Sequence, residues 1–225
     1  MKKDRSARIR IVSLAPSATS ILCAIGAKGA LVGVTRWCAD VAPVKGLPEL
    51  GDCWKLDVEE VLRLKPTLVI GSVPYKPETV AEILTNSLTF LAMNPRSLAD
   101  VESDIVLLGR LTGRNGAARK AVARMRKEFA AIAKKARRAK RPPRVYCEAW
   151  PNPRISSPPW VAELVRMAGG EMVLPPGQRV TEEQVAEACP EVIILAWAAA
   201  GDKSKPEKTY SVEAWKDLPA IRNKR

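Results

Sequence analysis

Apolar residues in this chain gather into two kinds of block. Runs of neighbouring aliphatics occur at Arg8–Leu14, Leu31–Thr35, Leu68–Ile70 and Leu88–Ala92, and again at Arg144–Cys147, Met172–Leu174 and Val192–Trp197. Their shortness and their Gly, Pro and Ser borders predict buried strands. Between them lie segments whose apolar residues recur every three or four positions, the spacing of one helix face. These helical segments have legible starts. Ser17 caps a helix through Ile25, Asp57 with Glu60 and Thr181 with Gln184 form capping boxes, Pro77 and Pro159 open first turns, and Ser97 precedes a helix to Leu111. Their stops are Gly26, Pro66, Asn86, Gly169-Gly170 and Cys189-Pro190. The Pro- and Gly-rich stretch running to Asp52 reads as loop. Strands alternating with helices in this order predict an α/β fold with parallel sheets.

One helical segment stands apart. Ala118, Val122, Met125, Phe129, Ile132 and Ala136 follow one another in alternating steps of four and three, which draws a narrow apolar stripe along a helix from Gly113 to Arg141. Gly113, Asn115 and Gly116 can end-cap it, and Pro142-Pro143 stop it. At 1.5 Å per residue such a rod is about 40 Å long. So thin a stripe covers the side of a body and cannot occupy the middle of a core. The segment therefore reads as a spine between an N-terminal α/β lobe (1–112) and a C-terminal α/β lobe (142–225), with residues 113–141 as the bridge.

The two flanking parts echo each other. Setting Pro66 on Pro190, an offset of 124, pairs Asp57 with Thr181, Glu59 with Glu183, Val61 with Val185 and Ile70 with Ile194. Cap, glutamate, proline and strand in one register point to a duplicated lobe.

Composition sharpens this picture in three places. The chain has 225 residues, 47% of them hydrophobic, enough for one large domain or two small lobes, and no apolar run approaches the ~20 residues that cross a bilayer. Its net charge of +13 is that of the spine and its immediate flanks: Arg110–Arg144 holds 14 basic residues and the single acid Glu128, and the remainder is neutral. Such a face is either solvated or a contact surface for nucleic acid or anionic lipid. There is no histidine, which removes Ser-His and Cys-His catalysis and the commonest metal ligand. The five cysteines, Cys23, Cys38, Cys53, Cys147 and Cys189, form no Cys-x-x-Cys pair and read as small buried hydrophobes. No acid-base pair is singled out by spacing, so the chain reads as a binding protein, with no catalytic and no metal-ligating residues assigned.

RIVSLAPSATSILCAIGAKGALVGVTRWC, LDVEEVLRLKPTLVIG and VTEEQVAEACPEVIIL together resemble the substrate-binding proteins of ABC importers for cobalamin, haem and iron-siderophores, nearest the cobalamin-binding branch. The resemblance implies two α/β lobes joined by one long helix, with a cobalamin-like or related metal chelate held in the cleft between them and passed to an ABC permease. It also implies a monomer. Three features depart from the family pattern. Ser20 stands where a Glu usually follows Ser-Ala-Thr. The chain ends at Arg225, where relatives continue with a strand and a helix, so the C-terminal lobe reads as truncated. There is no export signal as written, so the chain reads as cytoplasmic, or as periplasmic or cell-surface if it is of mature length. Two alternatives stand beside the importer reading: a cytosolic corrinoid-, haem- or siderophore-binding relative without a transporter, and nucleic-acid binding through the basic helix.

A cleft for a large flat ligand needs rigid aromatic walls. In open parallel sheets ligands sit beyond the carboxyl ends of strands, where Trp37, Trp150 and Trp197 are expected. The resemblance puts Trp37, the aromatic after Gly-Val-Thr, in the cleft, and brings Trp54 close to a cleft aromatic of the family. Tyr75 is a further candidate. The turn at Pro16-Ser17 either offers backbone N–H groups to a ligand or simply caps a helix. Glu59 and Glu183 either stabilise their helix N-termini or, as the resemblance implies, pair with permease arginines. Cys38, beside Trp37, is read as a buried thiol ahead of a metal ligand.

Overall fold

The computed structural model describes residues 9–52, 54–73, 75–137, 141–197 and 206–225. Arg8, Cys53 and residues 138–140 of the expected long helix lie outside them. The chain divides into two compact units, Met1–Pro95 with Ala99–Arg124, and Arg96–Leu98 with Met125–Arg225.

The first unit is built on a five-stranded sheet of β1 (Ile11–Ser13), β2 (Leu31–Thr35), β3 (Glu49–Leu50), β4 (Leu68–Ser72) and β5 (Phe90–Met93), all parallel and in the order β3-β2-β1-β4-β5. The strand order reverses at β1, with β2 and β3 on one side of it and β4 and β5 on the other. Helices α1 (Pro16–Ala24), α2 (Val58–Arg63), α3 (Pro77–Thr85) and α4 (Leu98–Leu111) follow their strands as the pattern predicts. Val12, Leu14, Leu50, Val58, Val61, Val69 and Ile83 close the core.

Three local details differ from expectation. Ser17 does not cap α1: Ala15 is the N-cap and Pro16 the first helical residue, because proline presets φ for that position. Asp57 caps α2 in one direction only, accepting from the Glu59 N–H at 2.9 Å, while Glu60 lies 3.8 Å from Arg63 instead of reaching back. β3 falls inside the stretch read as loop. Two residues are too few to show any period, and β3 exists because β2 offers it a parallel edge.

Helix α5 (Asn115–Ala136) is the long helix, 22 residues or about 33 Å. The chain passes from one unit to the other within it, at Arg124–Met125. Its first turns pack closely on α4, since a Cβ on Gly109 would stand 2.4 Å from the Ala118 Cβ. The stripe follows expectation through buried Ala118 and Val122 and half-buried Met125 and Phe129, then departs from it. Ile132 is 48% exposed and Ala133 takes the inner place, with Ala136. Small side chains win there because Gly169 comes so near that a Cβ on it would lie 2.9 Å from that of Ala136.

The second unit is built around β6 (Arg144–Pro151), with β8 (Glu171–Met172) and β9 (Val192–Leu195) parallel to it. β7 (Arg154–Ser156) folds back on β6 as an antiparallel hairpin, which makes this sheet mixed. Nothing in Arg154-Ile155-Ser156 signals a strand by itself; the hairpin partner supplies the pairing. Helices α6 (Pro159–Met167), α7 (Glu182–Glu187), α8 (Pro206–Tyr210) and α9 (Pro219–Arg222) complete the unit. Its core gathers Tyr146, Val185, Trp215 and Leu218.

The sequence echo is a structural one. Lys65 and Cys189, each just before the matched proline, both take positive φ, 45° and 43°. Arg10 donates to Leu64 O at 2.7 Å and Lys65 O at 2.9 Å, and Arg144 donates to Ala188 O at 2.7 Å. Each arginine thus serves carbonyls that the end of α2 or α7 leaves without a helical partner. The N–H of Thr67 and that of Glu191 return to Arg10 O and Arg144 O, both at 2.8 Å. One difference between the repeats matters below: Ser13 pairs with Ile70 and Cys147 with Ile194, so the residue after each, Leu14 in one unit, is Glu148 in the other.

Candidate functional site

In the first unit, β2 runs straight into a tight turn, Arg36–Asp40, that carries Trp37, and β3 ends just before Asp52 and Trp54. One carboxylate ties these loops together. Asp52 Oδ2 accepts from the Trp37 indole N–H at 3.2 Å and Oδ1 from the Trp54 backbone N–H at 3.0 Å. Partial burial acts to raise the pKa of Asp52. The bonds from Trp54, Trp37 and Lys55 and the charge of Arg36 outweigh it and hold the carboxyl below its ordinary value. Arg36 lies over the Trp37 ring, 4.2 Å from the centroid. Trp54 is 57% exposed. The structure therefore ties the Trp37 indole and the Trp54 backbone together beyond the carboxyl ends of neighbouring strands, through Asp52, which the sequence marked only as the end of a loop.

The other expected residues of this unit are placed differently. Pro16 and Ser17 open α1 directly after β1, with Ser17 exposed, and Pro16 contributes no N–H. Tyr75 packs edge-on against Phe90, centroids 6.1 Å apart, and lies against the core cluster. Cys38 is buried, its sulfur 3.1 Å from the Thr19 hydroxyl and 3.3 Å from that of Thr35.

In the second unit a buried carboxylate again holds an indole. Glu148 Oε1 accepts from the Trp197 N–H at 2.9 Å, while Oε2 accepts from the Tyr146 hydroxyl at 3.1 Å and from Arg154. Arg154 also bonds Glu182 at 3.0 Å and lies over the Trp215 ring, 4.4 Å from its centroid. The side chain of Glu148 is 1% exposed and that of Arg154 12%. Burial, reinforced by the Glu148 charge, raises the Tyr146 pKa; burial also pushes the Cys147 thiol up to about 11. Trp150 stands apart from this network, 44% exposed, its N–H bonded to Asn152 O at 2.9 Å. A glutamate inside the apolar run Val-Tyr-Cys-Glu-Ala-Trp was the signal that could have exposed the network, because a carboxylate in a buried strand demands a partner.

Glu59 and Glu183 occupy the same place in the two repeats, the second residue of α2 and of α7, and both are exposed. Glu183 has its pKa lowered by the bond from its own backbone N–H and then by the Thr181 hydroxyl. α7 carries a full capping box between Thr181 and Gln184, as expected.

The family described as periplasmic binding protein matches residues 11–225. An uncharacterized ABC transporter substrate-binding lipoprotein of Bacillus subtilis, YvrC, is 25% identical over 96% of this chain and 71% of its own. A vitamin B12-binding protein of Yersinia pestis is 24% identical over 83% of this chain and 69% of its own. Among solved structures, the periplasmic heme-binding protein RhuT of Roseiflexus sp. RS-1 aligns with a TM-score of 0.79 at 25% identity, covering 96% of this chain and 87% of that one.

Proposed function

Because the chain belongs to the periplasmic binding protein family, we propose that it is a solute-binding protein that captures a corrinoid, cobalamin or a related metal chelate, and delivers it to an ABC permease outside the cytoplasm. The observation that carries this reading is one carboxylate, Asp52, that holds the Trp37 indole N–H and the Trp54 backbone N–H just beyond β2 and β3. Indole rings give a flat ligand large contact area and lose little conformational entropy on binding. Relatives and structural neighbours whose names state vitamin B12 or heme binding support the ligand class. In this reading residues 1–112 and 142–225 are the two ligand-contacting lobes, residues 113–141 link them, and the protein acts as a monomer. Trp150 and Trp197 serve the second lobe, and Tyr75, Pro16 and Ser17 are subsidiary contacts of the first.

Titrating the protein with cobalamin, haem and a ferric siderophore while following Trp fluorescence tests the proposal. Quenching that saturates with cobalamin and is weaker with the other two supports the corrinoid reading. Saturation with haem alone moves the ligand to a porphyrin, and no response to any of the three removes the function.

We further propose that Glu59 and Glu183 are the docking points for the permease. Replacing both by Arg is expected to abolish stimulation of the reconstituted importer's ATPase while leaving the ligand Kd unchanged. A variant that keeps full stimulation reduces both residues to helix stabilisers.

A further inference from the structure

Within the basic stretch of the chain, α5 itself carries seven Lys and Arg residues and one acid, Glu128. At 100° per residue, the side of the helix opposite Ala118 and Val122 is formed by Lys120, Ala123, Lys127, Ala130, Ala131 and Lys134, all exposed. Lys120, Lys127 and Lys134 recur at equal intervals, about 10 Å apart along the axis, with exposed Arg119 and Lys135 at the flanks. Arg124 lies on the same side, and the one acid of α5, Glu128, is exposed at its edge, so the middle of the face shows only cationic and methyl groups.

This pattern does not serve the helix itself. The first turn of α5 contains no acid, although Arg119 and Lys120 stand near the end where the helix dipole disfavours cations. Lys120 and Arg124 are like charges one turn apart. Other helices of the chain carry acids in the first turn, Glu59 and Glu60 in α2 and Glu78 in α3. A face that only needs solvation gains from mixed signs, whereas a one-signed row gains from an anionic partner.

We infer that this face of α5 adheres to an anionic lipid surface. A straight row of point charges suits a planar array of phosphates, which each lysine reaches on its flexible stem. A duplex backbone curves away from such a row. The face also lacks the Asn, Gln, Ser and Thr side chains with which groove-bound helices supplement their phosphate contacts, and it exposes no aromatic ring for base stacking. The inference is independent of the ligand reading above.

Co-sedimentation of the full chain with vesicles tests it, using phosphatidylcholine alone and phosphatidylcholine mixed with phosphatidylglycerol, at low and high salt. Binding is expected only to the mixed vesicles and to fall with salt. The triple variant Lys120→Glu, Lys127→Glu, Lys134→Glu is expected to lose roughly tenfold or more in affinity. A control with the same change of net charge elsewhere, Lys45→Glu, Lys76→Glu, Lys224→Glu, is expected to bind like the parent. If the charge reversal unfolds the chain by far-UV circular dichroism, Lys→Gln at the same three positions keeps helix propensity and makes the same test. The inference is overturned by no binding to mixed vesicles at low salt. Equal loss in both triple variants, which would mean net charge alone, also overturns it, as does tighter binding to a DNA duplex of arbitrary sequence than to vesicles at equal phosphate.

Discussion

Replacing Glu148 by Ala lowers the unfolding free energy in urea by about 3–5 kcal/mol, the cost of leaving a buried charge without its partner. The stranded group is Arg154, 12% exposed, which would keep only Glu182 and its place over the Trp215 ring. Arg154→Ala is expected to cost as much, because Glu148 would keep only the neutral donors Trp197 and Tyr146. The two losses do not add. Replacing both partners by apolar residues, Glu148→Leu with Arg154→Met, is expected to recover most of the stability, since the other unit already accommodates Leu14 at the equivalent strand position. An ion pair that contributed only at the surface would give less than about 1 kcal/mol in each single variant. That result would show that the pair is not buried in solution.

The largest functional effect is expected at Trp37. Trp37→Ala should weaken cobalamin binding by at least 2 kcal/mol, about thirtyfold, the penalty of losing an aromatic anchor. Asp52→Asn should weaken it less, since one amide oxygen replaces two carboxylate oxygens that now serve Trp37 and Trp54 separately. The two effects should not be additive if Asp52 acts through Trp37. The pKa of Asp52 is lower in the folded chain than in the unfolded one, so its stabilising contribution is complete above the ordinary carboxylate pKa of about 4. It is lost as pH falls through the folded value below that. Trp fluorescence and ligand affinity attributable to this clamp should therefore stay level from neutral pH to about pH 4 and change only in stronger acid. A Trp37→Ala variant with parental affinity for cobalamin, haem and siderophore alike would remove the first unit's indoles from the site.

The helices were legible in the sequence because their signals are local. Pro77 and Pro159 open α3 and α6, Thr181 and Gln184 close a capping box on α7, and the apolar rhythm from Ala118 to Phe129 runs along α5. The duplication was legible for the same reason: Pro66 and Pro190 hold the same place in a helix-to-strand turn that recurs down to the arginine serving its carbonyls. What escaped was set by partners distant in the chain. β3 and β7 are too short to show a period and exist only as edges beside β2 and β6. Ile132 lost the inner place on α5 to Ala133 because Gly169 comes close to that side of the helix. The same holds for the candidate site. Composition and order placed Trp37, Trp54 and Trp197 after their strands, but an indole N–H needs an acceptor, and which carboxylate supplies it depends on chain segments brought together by folding. Asp52 reaches back 15 residues to Trp37, and Trp197 reaches back 49 residues to Glu148. Local order chose the rings; long-range packing chose what holds them.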